Sequence, residues 1–351
     1  MLDFNNNIGL YVLAYILPLF MIISSVRRNN SDILLGMESS NALKGLGMFC
    51  IIIHHITLEV AQPGYAVYFR NLGFWGSGLF LFCSGYGCYK SMQNNKDYLK
   101  RFVKGRIAKV YMHAVLANIF FYLIYSFSQL KISARSVLKA FFMINCRTGT
   151  IVWFFICILI FYIMFYLIYC LTPDNNVSLF LLFFCALCYM IVVYFLHLGS
   201  FWINISFTFP FGVLLAKYEK EWIKKVEQIH TLLYSLVCVI LFFFLLLSFK
   251  ISWEQALGRV VSDLICMNML LLIIVVWFPK IRLKCNPLLY FLNKNSLELY
   301  FGHMTVVLLL YKLVPQKNSW FLWLYLIIVL IVSKILFYLI ELFDKLIFKR
   351  K

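Results

Sequence analysis

Stretches of about twenty mostly apolar residues recur along this chain with only short polar connections between them, and that recurrence decides what it can fold into. They run over residues 8–26, 43–60, 72–90, 110–128, 151–171, 177–197, 200–216, 231–249, 258–278, 296–313 and 320–343. A helix rising ~1.5 Å per residue crosses the hydrocarbon of a bilayer in about twenty residues. The pattern therefore predicts an all-α polytopic membrane protein with about eleven transmembrane helices. A soluble globular fold is excluded: 63% of the residues are hydrophobic and 13% charged, against about 45–50% and about 25% in soluble domains.

The first run is too long for the core of a signal peptide, has no Lys or Arg before it, and is followed by Arg27 and Arg28; it is expected to stay as a helix. Residues 1–30 then read as an N-terminal transmembrane helix, 38–345 as the main transmembrane core and 346–351 as a basic tail. The 32 Lys and Arg outnumber the 14 Asp and Glu. Because the surplus lies between apolar runs, it points to a bilayer as partner and away from nucleic acid.

Positive residues are retained on the cytoplasmic side. Twenty-two of the 32 cations fall in one alternating set of connections: Arg27, Arg28 and Lys44; the seven from Lys90 to Lys109; Lys217 to Lys225; Lys280 to Lys294; and the tail from Lys345. With an odd helix count this places the chain in the cytoplasmic membrane with the N-terminus outside and the C-terminus in the cytoplasm. Lys131, Arg135, Lys139 and Arg147 break the alternation in the longest outer loop. Pro173 with Asp174, Asn175 and Asn176 predicts a tight link, and Phe209-Pro210-Phe211-Gly212 a broken helix with a close approach. The 11 cysteines lie mostly in apolar runs, where a thiol packs as a small hydrophobe. Cys185 and Cys188 have metal-pair spacing without a second pair, so no metal is assigned.

Ionisable groups within a span are costly and mark candidate sites. The second span is richest, reading Lys44-Gly-Leu-Gly-Met-Phe-Cys-Ile-Ile-Ile-His54-His55-Ile-Thr-Leu-Glu59. Lys44 sits at one interface and His55 about 16 Å deeper along a regular helix. His55 and Glu59, four apart, share a face, so the carboxylate can take the proton of one imidazole nitrogen and leave the other basic; His54 points about 100° away. Such a histidine suits proton removal from a hydroxyl that attacks an activated acyl group. The same residues also suit a snorkelling lysine and histidines bonding between helices.

The third span, Phe74 to Gly87, is rich in small residues that let backbones approach. The cations of Lys100-Arg101-Phe-Val-Lys104-Gly-Arg106-Ile-Ala-Lys109 recur at helical spacing, fit either for phosphate oxygens or as orientation signals. Glu298 and His303 are a second intramembrane pair, five apart and so not on one face of a straight helix, which a local distortion could still bring to one cavity. Asp263, four residues after Arg259, predicts an ion pair.

Leu43-Lys44-Gly45 through His55, Phe80 to Ser84-Gly85-Tyr86, Arg106-x-x-Lys109, Trp153-Phe154 and Asn295 through His303 together resemble the acyltransferase-3 family of integral membrane acyltransferases, over residues 38 to about 340. The resemblance implies a ten-helix core, with the N-terminal helix additional to it. It implies a donor, acyl-CoA and usually acetyl-CoA, supplied from the cytoplasm, and an acceptor hydroxyl on a glycan or lipid-linked extracytoplasmic molecule. The soluble esterase-like domain that some members append is not expected. By the resemblance His55 is the essential histidine and His303 a further catalytic candidate; Glu59 is a candidate by its spacing from His55. Lys44, Arg106, Lys109 and Arg101 are the donor-binding candidates. Lys109 replaces an arginine of the family's pair, exchanging a planar fork for a point charge, and Arg101 with Lys104 offers the same spacing one step earlier. Two other classes fit the same ionisable spans: a translocator of glycans or lipid-linked sugars without acyl chemistry, and a sensor or scaffold.

Overall fold

The computed structural model describes residues 8–29, 33–59, 64–129, 138, 141, 142, 149–313 and 321–347. Within lipid every backbone N–H and C=O must find a partner inside the chain, and helices achieve this segment by segment. The predicted runs accordingly carry helices. The first, α1, is continuous through Ile8–Tyr11, a π-helical stretch Val12–Ile16 and Leu17–Ser25. Then come α2 (Met37–Glu59) and α3 (Gly73–Asn94). Next is α4, continuous through Tyr98–Phe102, a π-helical stretch Val103–Ala108 and Lys109–Gln129. They are followed by α5 (Gly149–Leu171), α6 (Asn175–Phe195), α7 (Thr208–Glu227), α8 (Thr231–Glu254) and α9 (Arg259–Trp277). The last are α10 (Pro287–Lys294), α11 (Ser296–Leu313) and α12 (Phe321–Ile347).

Six of these, α2, α5, α6, α8, α9 and α12, are long and apolar enough to cross a membrane by length and composition. The protein is an all-α multi-pass membrane protein. Burial orders the helices: 61% of the α2 span is buried but only 17% of α8 and 22% of α12, so α2 is central and the other two face outward.

Small residues set the central crossings. A Cβ on Gly47 would meet the Gly76 carbonyl oxygen at 3.0 Å, so α2 and α3 touch through their backbones. Gly85 of α3 lies against the Phe209 carbonyl, and Gly212 of α7 against that of Phe82. The small-residue stripe of the third span therefore packs as the sequence predicts.

Three details differ from the sequence map. The run over 200–216 is discontinuous, as Pro210 predicts, but the break falls ahead of the proline, between the single turn Ser200–Ile203 and α7 at Thr208. Pro210 sits in the first turn of α7, where its missing N–H has no helical partner to lose. The helix over 110–128 begins earlier, at Tyr98, so the basic stretch is itself helical. Lastly, the loop after Pro279 holds a short strand, β2 (Ile281–Leu283), antiparallel to β1 (Val26–Arg28), with Arg27 opposite Arg282. Asn286 reinforces this tie: its side chain accepts from Leu289 N at the start of α10 and donates to Ser24 Oγ at 2.8 Å in α1. The link before α6 is capped by Asp174, which accepts from Asn176 N and Val177 N. Lys131, Arg135, Lys139, Arg147 and the last four residues of the basic tail lie outside the described residues.

Candidate functional site

Two helices bring three imidazoles together. His54 and His55 of α2 lie with ring centroids 4.8 Å apart, and His55 packs on His303 of α11 at 5.0 Å. His303 is completely buried. Its Nδ1 donates to the Leu299 carbonyl at 2.7 Å, which leaves Nε2 as the basic nitrogen, without a hydrogen-bond partner among the described residues. Gly302 lies against Ser333 of α12, and Tyr325 Oη donates to the His303 carbonyl at 3.3 Å, so α12 fixes this part of α11.

Two cavities share Ile51 and Tyr300, and the imidazoles of His54 and His55 line the first. The first, about 280 Å3, is lined by His54, His55, Arg70, Trp153, Asn204 and Asp263, among others. The second, about 200 Å3, is lined mainly by apolar side chains, with His113 and Ser296 among them. Ile51 and Tyr300 line both, and the consecutive Trp153 and Phe154 face one each. Tyr300 also packs on His303, at 5.9 Å between centroids. Arg70, Ser200 and Arg259 of the first cavity's lining all lie at one set of helix connections. The second lies beside Val110 and Ser296, next to the opposite set.

The first cavity has a polar wall that the sequence misassigned. Asp263 does not pair with Arg259. It accepts hydrogen bonds from Asn204 Nδ2 at 2.8 Å and from Ser252 Oγ. Asn204 comes from the break ahead of α7 and Ser252 from the end of α8; a partner fixed by tertiary packing won over the i,i+4 neighbour. Arg70, on the 3-10 turn Gly64–Asn71, donates through Nε to the Thr57 carbonyl at 2.9 Å.

The other predicted site residues separate into groups. Glu59 ends α2, and its side chain lies outside the described residues. Glu298 is buried and lies within charge range of Lys334 of α12, so it and His303 stay on the different faces that a spacing of five gives a straight helix. Lys44 is half-buried on α2, within charge range of Cys83 and Cys88. Arg106 lies among Tyr98, Tyr162 and Cys88, and Arg101 is exposed. Lys109 is bound by Asp344 of α12 at 3.0 Å, and the other oxygen of that carboxylate holds His113 Nε2 at 2.6 Å. The four donor-binding candidates therefore do not form one cluster.

Sequence reasoning passed over Asp344, Arg70, Asn204 and Glu219. Buried Glu219 of α7 binds Lys90 and Tyr86 of α3. Its signal was present: an acidic residue at the apolar end of a basic segment, facing the Ser84-Gly85-Tyr86 motif.

Fold and site together define a multi-pass membrane protein in which three imidazoles cluster between two helices, beside a polar cavity that shares Ile51 and Tyr300 with a second, apolar one. The acyltransferase-domain family model matches residues 37–341, and the chain belongs to that family; it is a membrane acyltransferase. No curated protein and no solved structure matches it.

Proposed function

We propose that the chain is an O-acyltransferase of the cytoplasmic membrane that moves an acyl group, acetyl in the simplest case, from cytoplasmic acyl-CoA to a hydroxyl of an extracytoplasmic glycan or lipid-linked acceptor. The observation that carries this is that the cavity lined by His54 and His55 shares Ile51 and Tyr300 with the second cavity, while His55 and Tyr300 both pack on His303. Positive-inside counting turns the second cavity and Arg106 toward the cytoplasm and the first toward the outside. A thioester arm entering by the second cavity and a hydroxyl entering by the first meet at the imidazoles, without either crossing the bilayer.

In this reading His55 takes the proton of the acceptor hydroxyl as its oxygen attacks the thioester carbonyl; the C–S bond breaks and the CoA thiolate leaves toward the cytoplasm. Arg106 and Lys44 meet the donor's phosphates, with Arg101 at the exposed entrance. Lys109 acts within its ion pair with Asp344.

The test is acetyl-CoA consumption by the purified protein in nanodiscs, with and without hydroxyl acceptors. General base catalysis contributes roughly 10²–10⁴-fold, so His55→Ala is expected to lose at least that much turnover while melting like the parent. Near-normal turnover in that variant removes the general-base role. Absence of thioester consumption by the parent across acceptors favours a translocator.

A further inference from the structure

The chemistry at the imidazoles requires only a hydroxyl, yet the first cavity is equipped for more. Arg259 lines it and is the first residue of α9. A cation there is placed against the positive end of the helix dipole, which disfavours it by roughly 0.3–1 kcal/mol; helix stability does not explain its presence. It is exposed, and it makes no hydrogen bond or ion pair among the described residues, although Asp263 lies one turn away. Gly258 before it supplies no side-chain cap, so the first turn of α9 also presents uncapped N–H groups.

A second feature points into the same space. Asn204 lines the cavity and is 2% exposed. Its Nδ2 is committed to Asp263, which leaves Oδ1 buried with no partner among the described residues. Nδ1 of His54, which also lines the cavity, is likewise buried and without a partner among the described residues. Buried polar atoms of this kind are costly unless a ligand or water satisfies them. Trp153 and Phe201 pack edge to face at 4.8 Å and give the cavity an aromatic wall. Dispersed hydrogen-bonding atoms facing an aromatic surface fit a sugar ring, which has hydroxyls at its rim and apolar C–H faces. At about 280 Å3 the cavity is near the small end of ligand pockets, of room for one ring.

The charges decide what kind of ring. The Asp263 carboxylate in the cavity is occupied by Asn204 and Ser252, whereas the Arg259 guanidinium makes no hydrogen bond or ion pair among the described residues. We propose that the acceptor unit is an anionic sugar, whose carboxylate or phosphate is held at the cavity mouth by Arg259 and the first turn of α9 while its ring reaches Asn204 and His54. A planar guanidinium matches either anion bidentately, and a neutral sugar leaves it unused. The proposal rests on the acyltransferase reading for the role of the ring as acceptor, but the recognition itself needs no acyl transfer.

The experiment therefore measures binding without acyl-CoA. The full chain in phosphatidylcholine nanodiscs is titrated with methyl glucuronide, glucose 6-phosphate and methyl glucoside, with saturation-transfer NMR as the readout. At least one of the two anionic sugars binds tenfold or more tightly than the glucoside, and which one does separates carboxylate from phosphate. Arg259→Gln brings the ratio to within twofold, and Arg259→Lys keeps most of it. Arg259 is exposed and unbonded, so both variants fold; matching melting curves check this. Equal binding of charged and neutral sugars, or a ratio unchanged in Arg259→Gln, overturns the proposal. Loss of the preference when phosphatidylglycerol replaces phosphatidylcholine also overturns it, because the anion held is then a lipid phosphate. Failure of the acyltransferase reading appears separately, as absent acetyl-CoA consumption in the same preparation.

Discussion

Gly212→Ala tests whether the backbone crossing of α3 and α7 holds the structure together. A Cβ built on Gly212 lies 2.8 Å from the Tyr86 nitrogen and 3.0 Å from the Phe82 carbonyl carbon, and closer still to the Phe82 oxygen. Ordinary contact begins near 3.4 Å. The atoms met are backbone in the middle of a helix, so no side chain can swing aside; the helices must part by about 1 Å. A gap of 0.5–1 Å forfeits roughly a quarter to a half of each contact's dispersion energy along the seam. Inserting a methyl into packed structure costs about 1–3 kcal/mol, and the rigid neighbours here place the change at about 3 kcal/mol. At roughly 2–4 °C per kcal/mol for large domains, the melting temperature falls by about 6–12 °C. The assay is thermal unfolding in one detergent at one scan rate, since irreversible unfolding makes apparent Tm depend on rate. Gly87→Ala is the control: it lies two residues beyond Gly85 on the same helix, and its Cβ meets nothing within 4 Å. Alanine's helix preference of roughly 0.5–1 kcal/mol makes that variant neutral or slightly stabilised. If the two variants melt alike, the close crossing is not what stabilises the bundle.

Three further outcomes follow from the same geometry. Asp344→Asn releases Lys109 and His113 together; the loss of a paired carboxylate between partly buried cations costs about 1–3 kcal/mol, read as a lower melting temperature than that of Lys345→Gln, whose partner Glu341 is half exposed. Arg106→Gln raises the KM for acetyl-CoA several-fold more than the KM for the acceptor; an unchanged donor KM rejects its phosphate role. The Asp174 carboxyl is held below its ordinary value of 3.8, first by the Asn176 N–H and then by that of Val177. A depressed folded pKa means that the cap's stabilisation is complete above the ordinary value and is lost as pH falls through the folded one. The melting difference between the parent and Asp174→Ala therefore narrows as pH drops below 3.8, and a constant difference refutes the cap.

What was legible in the sequence was what one helix decides alone. The span of α2 and the small-residue face of α3 follow from periodicity within a segment, and the structure places them accordingly. The π-helical stretch in α4 and the β1–β2 ribbon depend on pairings that no local pattern encodes. His113 and Asp344 illustrate the limit: they are 231 residues apart in the chain and 2.6 Å apart in space. Asp263 shows the converse error, since a correct local rule named Arg259 as its partner and tertiary packing supplied Asn204 and Ser252 instead.

The second imidazole is the instructive case. Five residues on a helix advance about 500°, so Glu298 and His303 stand roughly 140° apart around α11 and face different neighbours. That separation is what permits the observed division: Glu298 turns to α12, while His303 turns to α2 and meets His55. A carboxylate on the same face would have competed for the His303 ring. Instead Nδ1 is committed to the Leu299 carbonyl within its own helix, and the basic Nε2 remains. The tautomer of one ring in the pair is thus fixed by backbone geometry, independent of any acid nearby. In the proposed mechanism, a second basic nitrogen beside His55 would give the acceptor's proton a place to rest between attack on the thioester and departure of the thiolate, without burying a charge in the ground state.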